Sequence, residues 1–391
     1  MDKRVYLLMI ISFIVGMVEL IIGGILDLVA ADLNISIGQA GRLITVFSFV
    51  FAIAGPVLLY ATARVERTKL TILSLLVFLL GNGFALFGST YAVLILSRVV
   101  TAASGSLLTV LCITLAANIV KPQYRGRAIG LVVMGISGSI VLGLPFGIFL
   151  GHSFGWRAPF FIISLLTIAL MLSVYFFLGK VYSSQPMSLK KQFATLKNKS
   201  VLFAHFTTFF FLAGHFALYG FLTPFAITML GFEGIAITIM YFLYGAAAVT
   251  GGGIAGYSAD RFGAVRTIIA VTILLSIILF LMPYTAKLIP LFYTALILWG
   301  IISWGITPPV QSYLIQVAPE TSDIQQSLNN SALHFGIAFG TFIGSFIIEQ
   351  FSVEQNAAVG AGLILLSLAS ILLATRSQSK NTNDKKKMSN V

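Results

Sequence analysis

Stretches of about twenty predominantly apolar residues, parted by short polar or charged breaks, run along the whole chain. They lie near 5–29, 42–61, 70–89, 91–119, 127–151 and 158–179, and again near 200–228, 235–257, 266–285, 289–311, 325–348 and 357–375. Each can cross a hydrocarbon core about 30 Å thick as a helix rising about 1.5 Å per residue. The pattern therefore predicts an all-α integral membrane protein with 12 transmembrane helices. The longest polar stretch, 180–199, carries Lys190, Lys191, Lys197 and Lys199 and reads as a cytoplasmic linker. It divides a six-helix half, 1–179, from a second, 200–375, and a basic tail, 376–391, follows.

Composition agrees that lipid is the solvent: 58% of the 391 residues are apolar and 9% charged, with a mean hydropathy of +1.00. The first apolar run exceeds a signal-peptide core and is followed by no small-residue cleavage site, so it is read as a retained span. Cys112 is the single cysteine, which leaves no intramolecular disulfide to form. Charge then orients the chain. With the N-terminus inside, the 24 Lys and Arg residues all fall in inner segments except Arg42, Arg157 and Lys287, which fall outside, and Arg98, which lies within a span. Both termini are predicted to be cytoplasmic, and the net charge of +12 follows from topology rather than from a nucleic-acid partner. The four histidines lack metal-ligand spacing, so no metal is expected, and no cofactor beyond a proton gradient. No nucleophile with a base and no phosphate-binding loop argues for an enzyme.

Glu19 is the costliest residue of the pattern. It lies 14 residues past Val5 in the first span, about 9 Å below the far edge of the core. A carboxylate at that depth costs several kcal/mol and usually carries protons or ions or holds a counter-charge. Arg98 lies about 10 Å down from the outer end of span four, level with Glu19. Two readings of the pair are open, a proton switch whose carboxyl pKa changes with access and a static ion pair that fixes helix packing. Asp27 and Asp32 read as solvated charges at the outer end of the span.

The turn after span eight reads Gly256-Tyr-Ser-Ala-Asp260-Arg261-Phe-Gly263-Ala-Val-Arg266. It resembles the loop signature of the major facilitator superfamily, and a degraded copy follows span two, where Arg64 and Arg67 remain but Ala63 stands for the acid. Leu96-Ser-Arg98 to Gly105 in span four is similar to that family's arginine motif. Gly135, Gly138, Gly143, Pro145 and Gly147 in span five resemble its antiporter motif, although small residues also serve close helix packing. Several further segments resemble bacterial purine base and nucleoside efflux pumps of the drug and proton antiporter branch: 18–26, 213–219, 298–304, 311–315 and 322–327. The resemblance implies the major facilitator fold, two pseudo-symmetric six-helix bundles around a central cavity, in a bacterial inner membrane. It also implies a monomer that exchanges protons for purines or their analogues by alternating access, with multidrug or sugar efflux as the alternative.

The N-terminal half is read as the proton-coupling half through Glu19 and Arg98. The second half is rich in rings and uncharged hydrogen-bonding groups, namely His215, Tyr219, Tyr241, Tyr244, Trp299, Trp304, Gln311, Asn329, Asn330 and His334. Rings that stack and amides that match donor and acceptor edges suit a planar heterocycle such as a purine, and equally an aromatic drug. The loop after span ten, Ala318-Pro-Glu320-Thr-Ser-Asp323, has two acids and no base. An inner latch between Glu320 or Asp323 and Arg64 or Arg67 is one reading; capping of span eleven by Asp323 is the other. Asp260 is read as meeting span five near Arg125 or Arg127, with Arg261, Gly143, Pro145 and Gly147 as further gating positions.

Overall fold

The computed structural model describes residues 2–179, 181 and 193–389, and the side chains of these except Asp323 and those from 379 onward. Linker residues Lys190 and Lys191 and the tail lysines Lys385 to Lys387 therefore lie outside the described residues or side chains. Among the described residues, twelve helices are long and apolar enough to cross a membrane. Spans one to six are Lys3–Gly24, Ile37–Ala61, Arg67–Phe87, Tyr91–Asn118, Pro122–Phe154 and Ala158–Phe177. Spans seven to twelve are Lys199–Tyr219, Ile235–Phe262, Ala264–Thr285, Ile289–Val317, Ile324–Gln350 and Gln355–Gln378.

The first span is shorter than its apolar run. Helix geometry ends at Gly24, Ile25 adopts φ −125° and ψ 21°, and a second short helix, Leu26–Leu33, continues to Asn34 in the left-handed region. Span seven does the same. It stops at Tyr219, Phe221 adopts φ −121° and ψ 21°, and Leu222–Leu230 runs to a left-handed Gly231. The first helix of each half is thus broken at the same place in the same way. Both breaks follow glycine, whose missing Cβ makes leaving the helix cheap.

Contacts group the chain into two compact units. Unit 1 comprises Met1–Pro186 with Gly220–Gly245, so the short helix after span seven and the start of span eight belong with spans one to six; unit 2 comprises Met187–Tyr219 and Ala246–Val391. In unit 1, span one is the buried axis, packed by spans four and five and by the short helix Leu222–Leu230. Span five reaches it through small residues. A β-carbon at Gly135 would collide with the Met9 carbonyl oxygen, and one at Gly147 with Ile21. Between them the helix widens into a π turn, Ser139–Gly143, immediately before Pro145, whose ring and missing N–H disfavour a regular i to i−4 ladder there. In unit 2 span seven plays the axial part. β-carbons at Gly336 and Gly340 of span eleven would strike the Phe209 and Ala213 carbonyls, and one at Gly360 of span twelve would sit 2.5 Å from the Gly214 oxygen.

At the end of unit 1 away from the N-terminus, a polar clamp holds three loops together. Arg157 Nη1 and Trp156 Nε1 donate to Asp32 Oδ2 at 2.8 and 3.0 Å, Arg157 Nη2 donates to the Gly88 carbonyl at 2.9 Å, and the guanidinium lies 4.1 Å from the Trp156 ring centre. Asp32 is therefore an exposed end charge, as the sequence suggests, that also carries an ion pair. The Trp156 and Arg157 donors hold its carboxyl below the usual carboxylate range.

Two predictions follow from this packing. Gly135→Ala presses a methyl onto the backbone of span one, where overpacking typically costs about 1–3 kcal/mol. Gly83→Ala meets nothing within 4 Å and removes a helix-interior glycine, worth about 0.5–1 kcal/mol in the stabilising direction. Melting of detergent-purified protein should therefore fall for the first and hold or rise for the second. The second prediction concerns pH. A carboxyl whose pKa is depressed on folding stabilises above its unfolded value, about 3.9, and loses that contribution as pH falls through its folded value. Asp32→Asn should lower the melting temperature by a constant amount from pH 8 to pH 5, and the difference from wild type should close below about pH 4.

Candidate functional site

Arg98 is 1% exposed, deep in span four of unit 1. A guanidinium brings five N–H donors and keeps its proton, so burial demands acceptors. The acceptors are backbone. Nη1 donates to the Val18 carbonyl at 2.9 Å, Nη2 to the Glu19 carbonyl at 3.3 Å and Nε to the Leu43 carbonyl at 3.4 Å, while the Phe47 ring lies 4.1 Å below the charge. Glu19 and Arg98 are brought together at one level, and their charges interact. The contact differs in kind from a side-chain ion pair, however, because the guanidinium's hydrogen bonds go to the peptide of Glu19 and to its neighbours. The Glu19 side chain is half-buried, whereas the peptide that carries it is held by Arg98.

Of the span-five residues, Gly143, Pro145 and Gly147 are all buried, and a β-carbon at Gly143 would lie 3.1 Å from the Phe13 ring and 3.4 Å from Met17 of span one. They pack on the helix that bears Glu19. Asp27 departs from its sequence reading. One carboxyl oxygen is buried without a hydrogen-bond partner, where the short helix starts after the break at Ile25, near Gly151 of span five.

Tyr241 and Tyr244, both fully buried, belong to unit 1. The Tyr241 hydroxyl donates to the Gly23 carbonyl at 3.3 Å and lies 3.2 Å from Thr223 Oγ1, so it braces the two helix breaks. The other ring residues gather in unit 2. Trp299 Nε1 donates to His215 Nδ1 at 3.0 Å, the His215 ring stacks on Tyr219 with centres 5.0 Å apart, and Phe216 and Trp299 meet this pair edge-on. The Trp299 bond fixes the imidazole as the neutral tautomer with its proton on Nε2.

A second polar string in unit 2 joins spans seven and eleven. His205 Nε2 lies 3.0 Å from Gln325 Oε1, and Thr208 Oγ1 donates to Asn329 Oδ1 at 2.7 Å. His205, Thr208 and Gln325 were not singled out from the sequence. The signal was there, since Gln325 and Asn329 are four apart, His205 and Thr208 three, and each pair lies on one helical face. Asn330 is exposed, Trp304 and Gln311 are half-buried, and His334 is 5% exposed.

The gating positions are placed as follows. Arg64 is exposed, whereas Arg67 is 3% exposed and reaches the Thr62 carbonyl of its own turn at 3.5 Å. Asp260 and Arg261 are exposed, with Arg261 Nη1 3.1 Å from the Tyr257 hydroxyl. Glu320 lines a recess of about 500 Å³ with Thr195, Asn198, Thr321 and Gln325, and the Asp323 side chain lies outside the described ones. Among the described residues no three His, Cys, Asp or Glu cluster as metal ligands would.

The chain as a whole has counterparts among known proteins. Residues 8–330 match the sequence profile of the Major Facilitator Superfamily. YbcL of Bacillus subtilis (strain 168), an uncharacterized transporter of that type, is 33% identical over 377 residues, 96% of this chain and 97% of that protein. YtbD of the same organism, also uncharacterized, is 26% identical over 359 residues, 90% of each. Among solved structures, the bacterial homolog of the human lysosomal transporter Spinster in its inward-facing, occupied conformation superposes with a TM-score of 0.78 at 17% identity, covering 96% of both chains. The human organic anion transporter MFSD10 (TETRAN) gives 0.69 at 15%, covering 94% of this chain and 97% of that one. The profile and the end-to-end relatives establish that the chain belongs to the Major Facilitator Superfamily, as a transporter and not an enzyme.

Proposed function

We propose that this transporter is a proton-coupled antiporter that exports purine bases, nucleosides or their analogues by alternating access. The observation that carries the proton coupling is Glu19, a half-buried acid in a transmembrane helix whose backbone is pinned by the Arg98 guanidinium. Because Arg98 satisfies its donors on carbonyls, protonation of the Glu19 carboxyl need not strand the guanidinium. The acid can then gain and lose a proton without dismantling the packing of spans one, two and four. A static ion pair has no such freedom.

The basic residues set the orientation in this reading. Both termini and the linker face the cytoplasm of a bacterial cell, and the protein works as a monomer in the inner membrane. The exposed Arg64, Asp260 and Glu320, with Asp323, serve the gating of the cytoplasmic side. The substrate-binding rings are assigned to His215, Tyr219 and Trp299, with Asn329, Asn330, Gln311, Trp304 and His334 as further contacts. One observation favours the broader alternative of aromatic drug efflux: Trp299 Nε1 and His215 Nδ1 satisfy each other, so neither atom is left to match a purine's edge.

Proteoliposomes decide between these. Wild-type protein should exchange labelled adenine in counterflow, faster than a cationic dye, and a proton gradient should accelerate net adenine movement against it. Glu19→Gln should lose that acceleration completely while counterflow persists. Unchanged gradient-driven transport in the variant would remove Glu19 from the mechanism, and preference for the dye would favour the drug-efflux reading.

A further inference from the structure

A second group of titratable side chains lies in unit 1 outside the Glu19 and Arg98 site. Asp27 is the second residue of the short helix Leu26–Leu33. One of its carboxyl oxygens is buried without a hydrogen-bond partner, and so is Nε2 of His152, in the last turn of span five. The two helix ends meet there. A β-carbon on Gly151, next to His152, would lie 2.8 Å from Ile25 Cγ2 and 3.7 Å from Leu28 Cδ1, on either side of Asp27. Asp27 and His152 interact electrostatically across this contact. Both side chains are half-buried, and each keeps one buried polar atom unspent, an arrangement that packing alone disfavours.

The surroundings leave Asp27 as the exchanging group and His152 as its electrostatic partner. Tyr241, from span eight, is within electrostatic reach of Asp27, but its hydroxyl proton is committed to the Gly23 carbonyl. Asp32, on the same short helix, is held by Arg157 and Trp156. Span two contributes Arg42, which is exposed, and Leu222–Leu230 contributes no charged or titratable side chain. Glu19 is eight residues back along span one, about 12 Å by helix rise, beyond direct proton transfer.

We propose that Asp27 and His152 form a second proton-exchange site of this transporter, at the end of unit 1 away from the N-terminus, separate from Glu19. The reaction is proton transfer alone. A proton from water is taken by the Asp27 carboxylate, in the electrostatic field of His152, and returns to water, with no other bond made or broken. Its use in transport rests on the proton-coupled reading above, while the site itself can be tested without any substrate.

Infrared difference spectroscopy of the purified full-length protein in lipid, titrated from pH 4 to pH 9, reads protonated carboxyl groups directly. Wild type should show a carboxyl band absent from Asp27→Asn and present in Glu19→Gln, with a midpoint above that of an ordinary aspartate. His152→Gln should raise that midpoint by about half a pH unit or more, because a neighbouring cation no longer favours the carboxylate. Asp27→Glu should retain a titrating band, which separates the loss of the acid from misfolding. An Asp27 band with the midpoint of an ordinary aspartate, about 3.9, or one indifferent to His152, overturns the proposal. Adenine export in the same vesicles supplies the functional arm, in which Asp27→Asn should lower the protons moved per adenine. If adenine is not carried at all, the export reading fails while the infrared band still decides the site.

Discussion

A guanidinium held at hydrocarbon depth dictates much of unit 1. Arg98 cannot shed its proton, and lipid offers nothing to solvate it, so the cost is met by carbonyls that already accept a helix hydrogen bond and have a second lone pair to offer. Val18, Glu19 and Leu43 supply them, with the Phe47 ring beneath the charge. The result ties span four to spans one and two at the level of the one acid in span one. Removing Arg98 would leave no compensating partner at these carbonyls, whereas removing the Glu19 carboxylate leaves all three bonds in place.

The opposite side of span one is shaped by the small residues of span five. Gly135 brings two backbones to a separation at which a methyl group no longer fits, Gly147 makes room for the Ile21 side chain, and the π turn and Pro145 lie between these points of contact. Span seven repeats the pattern in unit 2, pressed by Gly336, Gly340 and Gly360. Both axial helices end in a break followed by a short helix, and within unit 1 the Tyr241 hydroxyl links the two breaks through Gly23 and Thr223. Just past the first break, one Asp27 carboxyl oxygen is buried without a partner.

Hydropathy made the twelve helices legible because bilayer thickness sets their length and lipid sets their composition. The breaks at Ile25 and Phe221 were not legible, since both residues are apolar and the hydrophobic run passes through them unchanged; Gly23, Gly24 and Gly220 were the only local hint. Helix rise placed Glu19 level with Arg98, and the two do come together. Yet the bonds to the main chain escaped notice, because every residue carries a carbonyl and a sequence marks none of them as special. Asp27 read as an end charge for the same reason that the break was missed. The pairing of His205 with Gln325 and of Thr208 with Asn329 depends on how spans seven and eleven face one another, which periodicity on one helix does not specify.

The central claim is that Arg98 holds the backbone of span one and does not depend on the Glu19 carboxylate. A double-mutant cycle tests it most directly, by comparing the melting of detergent-purified wild type, Arg98→Gln, Glu19→Gln and the double variant. Backbone clamping predicts that most of the stability lost on replacing Arg98 is lost again in the Glu19→Gln background, where only the charge partner has gone. If the Glu19→Gln background instead abolishes the effect of replacing Arg98, the pair is a side-chain ion bridge, and the account is contradicted.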